Sequence, residues 1–237
     1  MTHYELAGTP PIRVHLRRSA RARRMSLRVS RLDGKVTLTL PRRAPMRAAL
    51  SFIEERAPWI RGHLDRLDPL VPVGLGTVLP VQGQALRVVS GPRTEVRMAS
   101  GELAVSARAT SAGAAAAGAL KALARDRLSI ASDHFAARLG RTYARITLRD
   151  TRSRWGSCTD EGALMYSWRL VMAPPDVLDY VAAHEVAHLA EMNHSARFWE
   201  TVERLYPGFQ PQRLWLRERG QDLHRYRFAG VQSGPAD

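Results

Sequence analysis

The residues best suited to chemistry lie in one stretch, 180–199, which reads Tyr-Val-Ala-Ala-His-Glu-Val-Ala-His-Leu-Ala-Glu-Met-Asn-His-Ser-Ala-Arg-Phe-Trp. His184, Glu185 and His188 form an H-E-x-x-H set, and a further histidine follows at His194. On an α-helix four residues advance about 400°, so His184 and His188 share a face one turn apart. That spacing lets two imidazoles grip one Zn²⁺ at about 2.0–2.1 Å. Glu185 lies about 100° round the helix, where its carboxylate reaches a metal-bound water without ligating the metal. A tetrahedral catalytic site takes three protein ligands and keeps one position open. His194 is the third candidate, giving one Zn²⁺ per chain.

The elements that must position these residues follow from the flanking sequence. The histidine spacing fits H-E-x-x-H-x-x-G-x-x-H, except that Glu191 stands at the glycine, the residue that turns the chain straight after the helix. Without it, the helix is expected to run through Met192 and turn at Asn193, which tolerates a left-handed C-cap. Glu191 then projects from the face of His184. It is a supporting group, a surface ion-pair partner or, if His194 turns away, a ligand. Ala173-Pro174-Pro175 launches the helix, with Pro175 or Asp176 in its first turn. Ser195 caps a following helix, 196–205, whose Phe198 and Trp199 fix His194, and Pro207-Gly208 ends it.

Other motifs occur in order: Arg154-Trp155-Gly156-Ser157-Cys158, Ser167-Trp168-Arg169-Leu170-Val171, Ala173-Pro174, Asp179-Tyr180-Val181, and Asn193-His194-Ser195 with Phe198-Trp199. Together with the histidines, these resemble the YgjP-like metallopeptidase family, relatives of SprT-type and WLM-type zincins. Ser167 departs from the Asn that many relatives carry. The resemblance implies a zinc-dependent peptidase acting on peptide or protein substrates. His184, His188 and His194 would be neutral ligands, each oriented by a hydrogen-bond acceptor, and Glu185 the general base. Arg154, Tyr206 and Tyr226 are alternatives for steadying the oxyanion. Zincins commonly hold substrate as an added antiparallel strand, and Leu164–Val171 reads as a strand of that kind. One rival is a metal-bound scaffold without turnover, against which Glu185 argues, since a structural site has no use for a base. The other is a peptidase acting on DNA-bound proteins.

Composition sets the bounds. With 237 residues, 45% of them hydrophobic, the chain can bury one large core or two modest ones. The N-terminus shows no apolar stretch before its arginines, and the single cysteine, Cys158, excludes an internal disulfide and a cysteine-based zinc ribbon. The longest uncharged run, 69–86, is broken by Pro and Gly and cannot be a membrane helix. These features point to the cytoplasm and away from membranes. Net charge is +14, and residues 1–70 carry 15 Arg and Lys against 6 Asp and Glu, a net +9. Such an excess favours an acidic partner or nucleic acid. For the seven arginines in 17–31 the favoured reading is a solvated sheet edge, where charge discourages edge pairing, ahead of a nucleic-acid footprint.

Taken in order, 12–40 reads as an antiparallel hairpin: Met25, Leu27 and Val29 alternate with polar residues, Asp33-Gly34 turns, and Val36, Leu38 and Leu40 alternate again. Met46, Leu50, Ile53, Ile60 and Leu64 recur at helical spacing, and Pro58 should split that helix. Short strands follow near 78–81, 84–90, 93–98 and 102–106. An alanine-rich helix runs from Ala112 to Leu139, prone to fray over 112–119 and stopped by Gly140. Ile146-Thr147-Leu148 is a strand leading to Trp155, a large anchor, and Gly156, which permits a tight turn. Cys158 reads as a small buried hydrophobe. A basic, aromatic C-terminal helix is expected to carry Trp215, Leu216, Leu223 and Tyr226. The expected fold class is α+β: a zincin-like metallopeptidase domain built on the H-E-x-x-H helix, preceded by a small β-rich N-terminal region. The boundaries are 1–70 (basic hairpin plus helix), 71–110 (short strands), 111–229 (zincin-like domain) and 230–237 (disordered tail).

Overall fold

A computed structural model describes residues 2–30, 33–67 and 69–228. The expectation for the tail 230–237 falls outside them. Contacts divide the chain into two compact units, 1–70 and 71–237.

The first unit contains Thr2–Leu6 (β1), Ile12–Ser19 (β2), Ser26–Val29 (β3), Val36–Pro41 (β4), Met46–Glu55 (α1) and Ala57–Leu64 (α2). Its sheet runs β1-β2-β4-β3. Ile12, Val14 and Leu16 alternate inward with Val36, Leu38 and Leu40, and they close a core with Ala49, Ile53 and Ile60 from the helices. The antiparallel hairpin is β3–β4 alone, turning at Gly34 with φ +67°. β2 is a separate strand that pairs parallel with β4 and antiparallel with β1. Alternation sets which side chains face inward, but β4 has two edges, and the sequence does not show that β2 takes the second. The helix splits as expected: Pro58 lacks an N–H, and the break falls at Arg56, with Pro58 in the first turn of α2.

The second unit adds Val71–Pro72 (β5), Val78–Val81 (β6), Gln84–Gly91 (β7), Glu95–Arg97 (β8), Glu102–Ser106 (β9), Ala112–Leu139 (α3), Arg145–Arg149 (β10), Gly156–Cys158 (β11) and Ala163–Ser167 (β12). It continues with Pro175–Ala187 (α4), Ala196–Leu205 (α5), Gln210–Glu218 (α6) and Tyr226–Arg227 (β13). The sheet β6-β7-β9-β8 lays Leu79, Leu86, Val88, Leu103 and Val105 in the same core as Ala116, Leu120 and Leu128 of α3. Residues 71–110 and the residues around α4 therefore share one hydrophobic core. The Ala/Gly start of α3 is packed, not frayed. Ser111 caps it by accepting from the Ala114 N–H, and Ala116 and Ala117 are buried. A Cβ on Gly113 would lie 2.5 Å from the Phe228 carbonyl oxygen and 2.6 Å from that of Val73, so only glycine lets α3 press against these two backbones.

A three-stranded sheet, β10-β12-β11, supports the functional helix, with β11 at its edge. The strand expected over 164–171 ends at Ser167. Trp168–Met172 form a 3₁₀ turn whose five side chains are all buried. A continuously apolar run does not distinguish a buried turn from a buried strand. Inside that turn Arg169, 7% exposed, grips Asp150 with bonds of 2.6 and 3.1 Å. It also donates to the carbonyls of Leu223 (2.8 Å) and Tyr226 (3.2 Å). Burial alone would raise the Asp150 carboxyl, but Arg169 outweighs it and holds it below the usual range. Arg169→Leu should lower stability by about 2–4 kcal/mol, mainly by stranding the two carbonyls. The ion pair adds less, because the Asp150 side chain is 49% exposed. The urea midpoint measures this loss. No described helix is long and apolar enough to cross a membrane.

Candidate active site

α4 is apolar on nearly every side, as a helix in the middle of a core must be: Val177, Leu178, Val181, Ala182, Ala183, Val186 and Ala187 are buried. Pro174 and Pro175 start it, and Asp176 sits in its first turn, where the helix dipole favours a negative charge. The helix ends at Ala187, earlier than the sequence reading through Met192. The Leu189 N–H bonds the Val186 carbonyl and the Ala190 N–H bonds the Ala187 carbonyl, so the last turn tightens to 3₁₀ spacing. Asn193 takes no left-handed turn; its side chain instead accepts the Ser195 N–H at 3.1 Å. Ser195 then caps α5, accepting from Phe198 N–H.

This early turn brings the three histidines together. One ligand atom of each of His184, His188 and His194 lies within 4.8 Å of the others. The Nε2 atoms of His184 and His194 face each other at 3.1 Å. An ion with bonds of 2.0–2.1 Å in tetrahedral array needs its donors about 3.3 Å apart, so the cluster fits a metal after small ring adjustments. His188 Nδ1 lies 3.0 Å from the Glu191 carbonyl, which fixes the proton on Nδ1 and leaves Nε2 free to ligate. Glu191 thus supports the site through its backbone; the expected role for its carboxylate on the face of His184 is lost because the helix has already ended. His184 Nδ1 is buried and has no hydrogen-bond partner among the described residues, so an acceptor behind every histidine is not found.

Aromatic rings hold the imidazoles in its place. Phe198, fully buried, stacks on His188 at 4.4 Å and meets His184 edge-on at 4.9 Å. Trp199 stacks on His194 at 5.7 Å and is itself held by the Phe209 ring at 5.4 Å and the Arg213 guanidinium at 4.4 Å. Burial first, then the neighbouring His188 and His194, pushes His184 down to about 3. Burial also lowers His188. Both rings are therefore neutral at pH 7, the form that ligates a metal.

Glu185 is 6% exposed beneath an open cleft of about 350 Å³, lined by Arg154, Gly156, Ser157, Cys158, Met192 and the three histidines. Burial lifts its carboxyl to about 8, against the pull of the Arg154 charge. Arg154 thus faces the cleft, whereas Tyr206 and Tyr226 do not line it. Trp155 packs on Gly220 and His224 as an anchor. Gly156 is not in a tight turn; it lies in β11, where a Cβ would fall 2.5 Å from both Cγ and Oε1 of Glu185. Cys158 is half-buried at the cleft wall. Burial, then the Glu185 charge, pushes its thiol up to about 11, so it is no nucleophile at pH 7. Sequence reasoning missed Met192 and the steric role of Gly156, because both follow from where α4 ends and how closely β11 approaches it.

Residues 23–219 match the family described as YgjP-like, metallopeptidase domain. The chain belongs to this YgjP-like metallopeptidase family. As a YgjP-like metallopeptidase it is a hydrolase of peptide or protein substrates and uses a metal cofactor. No curated protein matches it. Among solved structures it is similar to the metallopeptidase zymogen of Pyrococcus abyssi abylysin, at 21% identity over 40% of this chain and 95% of that one, with a TM-score of 0.33.

Proposed function

We propose that this chain is a zinc peptidase in which His184, His188 and His194 hold one Zn²⁺ and Glu185 is the general base. The observation that carries this reading is the convergence of three imidazoles beside a buried carboxylate at the floor of an open cleft. Three nitrogen donors with a position left open is the donor set of catalytic zinc. A bound zinc ion would supply Lewis acidity toward the scissile carbonyl and acidify water.

The residues of the chain do the rest. Glu185 takes a proton from the attacking water and returns it to the leaving amine, so that one water is consumed per bond cleaved. Its burial places its proton affinity near neutrality, where a base both accepts and releases. Arg154 offers charge to the carbonyl oxygen as it becomes an oxyanion. The edge strand β11 borders the cleft through Gly156, Ser157 and Cys158, so an extended peptide can add to it by backbone hydrogen bonds.

Elemental analysis of purified protein should find about one zinc per chain. His184→Ala, His188→Ala and His194→Ala should each lower occupancy sharply. Glu191→Ala should keep the metal, because the Glu191 carbonyl that holds His188 is unchanged. Retention of zinc by His194→Ala with loss in Glu191→Ala would overturn this ligand set.

A further inference from the structure

The strand order β1-β2-β4-β3 puts β2 in the interior of the N-terminal sheet. One face of that sheet carries α1 and α2, and the other carries the residues that alternate outward. Their register forms rows: His3 beside His15, Thr37 and Arg28 in one; Glu5 beside Arg13 in the next; Arg17 beside Thr39 and Ser26 in a third. Lys35 leads into β4 at the same end as Arg13. Charge that protects a sheet from edge pairing belongs on an edge strand, which suits Arg28 on β3. That reason reaches Arg13 and Arg17 less directly, because they lie on an interior strand, Arg13 opposite Glu5 of β1 and Arg17 opposite Thr39 of β4.

The positive charge is also only partly compensated. Glu5 is the acid on this face, and it pairs with Arg13 at 3.7 Å with both side chains about 60% exposed. Arg17 and Arg28, with Arg21, Arg23 and Arg24 in the loop leading from β2 to β3, are exposed, and their side chains make no hydrogen bond or ion pair with a described residue. Arg18 is different: it donates to the carbonyls of Arg42 and Ala44 and holds a turn. His15 registers the field, being lowered by burial and then by Lys35, Arg13 and His3. Glu54, Glu55 and Asp65 belong to the helices and their ends, on the other side of the sheet, and Asp33 sits in the β3–β4 turn, where its carboxylate accepts the Lys35 N–H.

We propose that this open basic face binds the phosphate backbone of nucleic acid. The side chains favour that occupant over an acidic protein. No Phe, Tyr or Trp among the described residues projects from the face, and neither does a large aliphatic side chain, so it lacks the apolar centre of a protein interface. For the same reason it has no platform for stacking bases. What it offers are guanidiniums interleaved with the hydroxyls of Thr37, Thr39 and Ser26, the donors that contact phosphate oxygens without reading sequence. The recognition is therefore electrostatic and independent of base sequence, and it does not rest on the assignment of the metal site.

The test is a salt titration of the full chain against a DNA duplex of about 20 base pairs, followed by fluorescence anisotropy. With about four phosphates neutralised, log affinity should fall against log salt with a slope of about 3.6. The variant Arg17→Gln/Arg28→Gln/Lys35→Gln should bind more than tenfold more weakly at low salt, with a slope shallower by about 2.7. A variant with the same charge change on the helices and their ends, Arg47→Gln/Arg56→Gln/Arg66→Gln, should keep nearly the original slope. Arg17→Lys/Arg28→Lys, which preserves charge, should bind like the parent and show that the fold tolerates substitution at these positions. Equal slopes for the two Gln variants, or no binding by the parent at 50 mM salt, would overturn the proposal. Tighter binding to poly-glutamate or to phosphatidylserine vesicles than to duplex would overturn it too, in favour of an acidic protein or a membrane surface.

Discussion

Glu185→Gln should keep the metal and the fold and lose peptide hydrolysis by a factor of about 10²–10⁴ in kcat. Glutamine matches glutamate in shape, so the packing against Gly156 persists, but an amide cannot accept the proton of the attacking water. The side chain is not one of the three converging ligands, so zinc content should match that of the parent. Stability gives an independent check. Burial raises the Glu185 carboxyl to about 8 in the folded chain, above its usual range. A raised carboxylate pKa means that ionising the group opposes folding as pH rises through the window from its unfolded value to about 8. Glutamine removes that opposition, so the metal-free variant should be at least as stable as the metal-free parent at pH 8. Unchanged turnover in Glu185→Gln would sink the general-base assignment. Loss of activity together with zinc would place Glu185 among the structural supports of the metal.

How much of this was legible depends on the range of the forces involved. The H-E-x-x-H set needs only one helical turn, and helical geometry alone places His184 and His188 together. α3 was legible because its ends are local: Ser111 caps one, and Gly140, at φ +69°, closes the other. The short strands β6 to β9 were legible because Gly83 and Gly101, both at positive φ, separate them. What could not be read depends on neighbours distant in sequence. The end of α4 follows from the tightening after Ala187 that delivers the Glu191 carbonyl to His188 and His194 to His184. The buried run 168–172 folds as a 3₁₀ turn because Arg169 must reach Asp150, Leu223 and Tyr226. The parallel pairing of β2 depends on an edge that β4 offers only in three dimensions. The β13–β5 pair joins residues far apart in the chain, Tyr226 with Val71, and neither is long enough to show a pattern.

Gly156→Ala should lower kcat by about 10²-fold while zinc content stays that of the parent. Gly156 sits on the edge strand that faces α4, and the added methyl would stand 2.5 Å from Cγ and Oε1 of Glu185 and 2.6 Å from its Cδ. Carbon atoms rest in contact at about 3.5–4.0 Å, so the carboxylate or the strand must yield by about 1 Å. Glu185 is 6% exposed and enclosed by protein, which leaves its carboxylate only the cleft to move into. A displacement of about 1 Å in a positioned group costs on the order of a hundredfold in rate. Overpacking at such a site also costs about 1–3 kcal/mol of stability, so the melting temperature should fall modestly. The reading that separates a positioning role from a merely structural one is a double-mutant cycle. In the Glu185→Gln background the proposed base is already gone, and Gly156→Ala should then cost little further activity. An additive hundredfold loss in that background would mean that Gly156 acts on β11 and the peptide lying along it. Full activity of Gly156→Ala would mean that Glu185 has room to do its work from a shifted position. The expected result is the non-additive one, because the methyl's nearest atoms all belong to Glu185.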